Sequence, residues 1–189
     1  MSEAFSVQKP MLKYAYEIGW EYLTQKEALQ RREGKGDEKR KERYLADILR
    51  SQLIKLNPGV VTSNNVDEIL RRLRNLDSSI EGNREALVWL QGKQSIFVPQ
   101  QNRDRNVTLI DFHNPENNIF HVTDEWWQKG TAFDNRADLI FLINGIPASL
   151  QISWSYNKPI SYPNSATPEF LSLLLAIHRL GKVSLQQMH

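Results

Sequence analysis

The 189-residue chain is expected to adopt an α+β fold, helices first and a mixed β-sheet after them. Three observations predict it. Apolar residues recur at helical spacing as far as Gln91. From Gln94 the period shortens to the alternation of strands. The strands then follow one another through turn-rich segments instead of alternating with helices, which separates α+β from a βαβ arrangement.

The elements follow in order. Residues 7–18 suit an amphipathic helix, with Val7, Met11, Ala15 and Ile18 near one face. Arg31–Arg43 (RREGKGDEKRKER) mixes both charges with two glycines and reads as a solvated connector, a phosphate-contacting loop being the alternative. Tyr44–Leu56 places Leu45, Ile48, Leu49, Leu53 and Leu56 on one helical face and stops at Asn57-Pro58-Gly59. Asn64 is the expected cap of the next helix, with Asp67 and Glu68 in a first turn where the helix dipole favours acids. Val66, Ile69, Leu70 and Leu73 make its core face, and Arg71, Arg72 and Arg74 lie mainly opposite. A shorter helix covers Arg84–Gln91. Strands are expected at Ser95–Pro99, Asn106–Phe112, Ile119–Thr123, Ala137–Asn144 and Ala148–Trp154. Thr167 as N-cap, with Pro168 in the first helical position, starts a last helix that ends near Gly181.

Composition bounds the class. A chain of this length can bury a substantial core, and five Trp with 10% aromatic residues argue against disorder. The absence of Cys excludes disulfides and Cys-ligated zinc and fits a cytoplasmic location. No apolar run follows Met1 as a secretory signal would require. The most apolar stretch, Phe170–Ile177, is far shorter than the roughly 20 residues that span a bilayer, so no membrane association is expected. Net charge is only +2, weak for a protein that would bind nucleic acid tightly by itself. Gly34-Lys35, Gly92-Lys93 and Gly181-Lys182 all lack the G-x-x-x-x-G-K-[ST] context of a phosphate-cradling loop, so no ATP site is expected.

The most informative stretch is Asn135–Trp154 (NRADLIFLINGIPASLQISW). An Asp opens an apolar strand, an Asn-Gly-Ile-Pro turn follows, and a second strand begins. Around it, and in this order, stand Phe5-Ser-Val-Gln-Lys-Pro10, Ile18-Gly19-Trp20, Leu56-Asn-Pro-Gly-Val60, Ile80-Glu-Gly-Asn83, NVTLIDFHNPENN from Asn106 to Asn118, and Phe120-His-Val-Thr-Asp-Glu125. Together they resemble the N-terminal endonuclease domain, of the PD-(D/E)xK type, of the R subunit of type I restriction enzymes. The likeness covers most of residues 1–147.

That resemblance implies a restriction-endonuclease-like core and Mg²⁺-dependent cleavage of double-stranded DNA, with the other type I restriction subunits as partners. Mg²⁺ takes hard oxygen ligands, usually one or two carboxylates with waters and substrate oxygens. In the family one carboxylate is the Asp, here Asp138, and the other is the Glu of a Glu-x-Lys on the next strand. Their spacing of two sets Glu and Lys on the same strand face. In this chain Ile152 and Trp154 occupy the expected Glu and Lys positions. A one-residue slip offers Gln151 and Ser153, neither a carboxylate nor a cation. The family resemblance also makes Glu17 a weak metal candidate, because related nucleases place a helical acid near the ion. Arg71, Arg72 and Arg74 are weak DNA-binding candidates, with a solvated basic face as the alternative.

After Pro147 the likeness stops and the composition shifts. Only Glu169 of the 22 acidic residues lies beyond Pro147, where even spacing would place about five. Residues 1–147 are therefore read as the nuclease-like domain, and 148–189 as a divergent or frame-shifted tail completing one strand and a helix. His113, His121, His178 and His189 show no metal-ligand spacing. Asp111, Asp124 and Glu125 each fit a turn acceptor, an exposed charge, or a group brought near Asp138. Of Trp126 and Trp127, at most one is expected to be readily buried, and the other reads as a half-packed aromatic, stacking on a base or partner being the alternative. Three functions compete: a Mg²⁺-dependent endodeoxyribonuclease impaired in catalysis, a non-catalytic subunit- or DNA-binding module, and a truncated remnant.

Overall fold

A computed structural model of the chain describes residues 4–77, 79–129 and 134–151. Positions Ile152 and Trp154, and the helix expected from Thr167 to Gly181, lie outside them. The elements run α1 (Ala4–Glu17), β1 (Glu21–Leu23), α2 (Gln25–Gln30), α3 (Ala46–Leu56), α4 (Val66–Arg74), α5 (Ile80–Leu90), β2 (Ser95–Val98), β3 (Arg103–Asn106), β4 (Phe120–Gln128), β5 (Asn135–Ile143) and β6 (Ile146–Gln151). A short 3-10 helix covers Gly36–Lys41. The described residues fall into two compact units, one within Met1–Leu49 and Ile119–Pro159, the other within Arg50–Asn118.

The first unit is built on a four-stranded mixed sheet of order β1-β4-β5-β6, in which β1 runs parallel to β4 and the other pairs are antiparallel. Both faces are covered, which explains why β5 reads as a nearly unbroken apolar run. On one face Ala15 of α1 packs with Val122 and Leu139, joined by Met11, Leu12, Trp20 and Phe141. The Trp20 ring meets Phe120 and Phe141, each at 5.1 Å between centroids. On the other face Leu23, Ala28, Leu45 and Ile48 pack with Ile140, Leu142, Trp126 and Ala137. β1 and α2 go beyond the sequence reading. Thr24 and Glu27 form a full capping box at the start of α2.

The Asn144-Gly145 turn closes the β5–β6 hairpin. Both residues have positive φ, 53° and 79°, as a two-residue type I′ turn requires and as Asn-Gly supplies with little strain. Asn144 is fully buried. Its backbone N–H donates to the Ile119 carbonyl, and its Oδ1 accepts from the Ile119 N–H, both at 2.8 Å. The Gly145 carbonyl accepts from the Leu45 N–H at 2.9 Å.

In the second unit Val66, Ile69, Leu70 and Leu73 of α4 are buried, as their spacing predicts. Asn65, not Asn64, stands at the N-cap. Its side chain makes no cap bond to the helix; it accepts from the Thr62 N–H and donates to the Val60 carbonyl, tightening the turn before the helix. Asn57, buried past α3, donates to the Leu53 and Thr108 carbonyls and accepts from the Thr108 N–H. The strand expected over Asn106–Phe112 is instead β3, paired with β2 from Ser95↔Asn106 to Val98↔Arg103. Val107, Leu109 and Ile110 are buried as loop residues, so apolar content there reports burial and not extended pairing.

Candidate functional site

Asp138 lies on β5, mostly buried, with its side chain 12% exposed. Across the ladder the pairs Asp124↔Leu139 and Trp126↔Ala137 leave Glu125 and Asp138 as the position between them. Glu125 has φ +48°, a conformation that a non-glycine residue adopts rarely and at a cost. Its effect is visible in the packing. Alternation would put Trp126 and Ala137 on the face of Val122 and Leu139, yet both belong to the cluster of Ile140 and Leu142. The irregularity re-aims side chains as a β-bulge does.

Glu125 and Asp138 share a cation. Arg136 places Nη2 2.9 Å from Glu125 Oε1 and 3.8 Å from Asp138 Oδ1. The same guanidinium lies 5.9 Å from the Trp127 ring, and that of Arg40 lies 6.0 Å from it. Asp124 is engaged separately, accepting from the Tyr22 hydroxyl at 2.9 Å. Burial first, and then that hydrogen bond, push the Tyr22 pKa up to about 12.

The connector between α2 and α3 is more than a solvated loop. Lys129 pairs with Asp37 at 2.9 Å, the Lys129 N–H donates to the Arg40 carbonyl, and Gln128 donates to the Lys41 carbonyl. Beneath it Arg32 is only 4% exposed. Its guanidinium carbon sits 3.2 Å from the Trp126 ring centroid, and Nη1 donates to the Trp127 carbonyl at 2.7 Å. Arg32 Nε finds no acceptor among the described residues. Burial pushes this guanidinium down to about 9 against the attraction of Glu42. The cavity beside it, lined among others by Gln25, Arg32, Arg40, Glu125 and Trp127, has about 20 Å³. That is room for about one water and too small for a nucleotide.

The remaining candidates separate. Glu17 ion-pairs with Lys13 one turn earlier at 3.8 Å, on the exposed face of α1. Asp111 accepts from the His113 and Asn114 N–H groups and from Asn117 Nδ2. Burial works against its charge, but these bonds hold its carboxyl below the usual range, which marks a loop tie. Arg71 and Arg72 both bind Glu68, at 2.8 and 3.0 Å, and Arg74 acts on Asp67. Among the described residues no group of three His, Cys, Asp or Glu could hold a metal ion. Arg136 and Arg32 were missed by sequence reasoning. The i, i+2 spacing of Arg136 and Asp138 along a strand was the available signal for the first; nothing in the charged run marked Arg32 for burial.

None of the described helices is long and apolar enough to cross a membrane. No curated protein matches the chain. The family model for the type I restriction enzyme R protein N terminus matches residues 1–150. With that match over most of its length, and a mixed sheet whose β5 carries Asp138 into an Asn-Gly turn, the chain belongs to the family of type I restriction enzyme R protein N-terminal domains.

Proposed function

We propose that this chain is a nuclease-type module of a type I restriction enzyme R protein, retaining Asp138 as a metal ligand but impaired in cleaving DNA. The observation that carries the reading is Asp138 itself, set on a central strand opposite Glu125 with a guanidinium against both carboxylates. The donor chemistry fits Mg²⁺, which is often held by one or two carboxylates with waters and substrate oxygens completing its shell. When bound, Mg²⁺ would act as a Lewis acid on a phosphate and its attacking water. The impairment follows from the sequence after Pro147, where Ile152 and Trp154 stand in the Glu and Lys positions.

Double-stranded DNA and the other restriction subunits are the proposed partners, and ATP-driven movement would come from another chain. Calorimetry with Mn²⁺ and a plasmid-nicking assay test the reading. The chain should bind Mn²⁺ weakly, lose that binding as Asp138→Ala, and nick no faster than that variant. Ile152→Glu with Trp154→Lys should tighten binding. Rapid nicking by the unaltered chain would overturn the impairment, and a folded double variant that binds no metal would overturn the role of Asp138.

A binding module is the second reading, favoured by Ile80, Leu87 and Phe97, large apolar side chains left exposed in the second unit. Association with partner subunits that survives Asp138→Ala, in a chain with no metal affinity, would select it. Residues 148–189 are proposed to be a divergent or frame-shifted tail. A Glu-x-Lys after Pro147 in another frame of the coding DNA would establish a shift and favour the truncated remnant.

A further inference from the structure

We infer that Arg136 is a tethered cation that occupies the carboxylate pair in place of a divalent ion and must swing away before one binds. The inference rests on the reading of Asp138 as a metal ligand and adds a built-in competitor to it.

The geometry is that of a bridge. One guanidinium nitrogen, Nη2, reaches both Glu125 at 2.9 Å and Asp138 at 3.8 Å. A guanidinium keeps its charge at every working pH, so it cannot leave by losing a proton, only by rotation. Rotation is open to it, because the Arg136 side chain is 42% exposed. A divalent ion cannot share the space. Mg²⁺ demands short contacts of about 2.0–2.1 Å to its oxygens, and a cation 2.9 Å from one of these carboxylates and 3.8 Å from the other repels it.

The neighbouring charges fit the assignment. Lys129 is engaged with Asp37, and Asp124 accepts from Tyr22. Arg40 lies toward the Trp127 ring that Arg136 also approaches. Arg136 thus stands against both members of the pair, and its removal should take one positive charge from them without undoing these other contacts. The result is a carboxylate pair whose charge is half offset, with a raised threshold for metal.

Titration of Mn²⁺ into the full chain, followed by calorimetry, tests this with Arg136→Ala. Affinity should rise on the order of tenfold, the scale on which a neighbouring charge shifts a carboxylate equilibrium. Methylguanidinium added to that variant should compete with Mn²⁺ and return the affinity toward the original value. Arg136→Lys, which keeps a cation but not the fork, should fall between and serves if the alanine variant does not fold. If Asp138→Asn abolishes Mn²⁺ binding while Arg136→Ala binds no tighter, the tethered-cation role is overturned and the metal reading stands. If neither the original chain nor either Arg136 variant binds Mn²⁺, both are overturned.

Discussion

Gly145 meets two requirements with one hydrogen atom. Its φ of +79° penalises any side chain, and a Cβ built there would lie 2.7 Å from the Leu45 carbonyl oxygen and 3.3 Å from the Leu49 nitrogen. Backbone cannot step aside as the end of a flexible side chain can. Gly145→Ala should therefore destabilise the fold by roughly 2–4 kcal/mol, the sum of a left-handed penalty and overpacking, read as a lower urea midpoint. This residue was legible, because Asn-Gly between apolar runs is the strongest short-range hairpin signal. Asp138 was legible too, as an acid opening an apolar strand. Glu125 was legible only as one of three acids that could be brought near Asp138: nothing about a Glu announces φ +48°, and only the opposing strand reveals which position it faces. Arg32 was hidden for a related reason. A charged run gives no warning that one of its members will lie flat on a tryptophan, and that partner stands 94 positions away at Trp126.

Elements with a repeated apolar face were readable, and those held by pairing or caps were less so. α4 shows both sides. Its buried stripe came straight from the spacing, yet its arginines are held in ways that the sequence leaves open. Arg71 and Arg72 both clasp Glu68 within the helix, so their charges are already partly offset locally. Replacing Arg71 and Arg72 together by alanine should change non-specific DNA affinity by less than about twofold and leave its salt dependence nearly unaltered. A fluorescence titration across a range of salt concentrations checks it, and a marked flattening of the salt slope would restore them as phosphate contacts. α2 escaped notice because six residues bury only Ala28, although Thr24 and Glu27 carry the spacing of a capping box. β3, Arg103–Asn106, has no apolar residue; it exists through its partner β2.

For the molecule as a whole, acidification should act through His121. This imidazole is 3% exposed on β4, with Nδ1 unpartnered among the described residues and Nε2 3.5 Å from Glu21. Burial, aided by Arg31 and opposed by Glu21 and Asp47, holds its pKa below the ordinary 6.5. The unfolded chain therefore binds the proton more readily. Stability is full above about pH 6.5 and falls as pH drops through the depressed native value. Thermal unfolding between pH 7.5 and 5 should show that loss, and His121→Leu should flatten it. The β5–β6 turn is secured from one side of the sequence. Every atom of the clasp among Asn144, Gly145, Ile119 and Leu45 belongs to a residue before Ala148. The turn that closes the β5–β6 hairpin is therefore anchored by hydrogen bonds that no residue beyond Pro147 supplies.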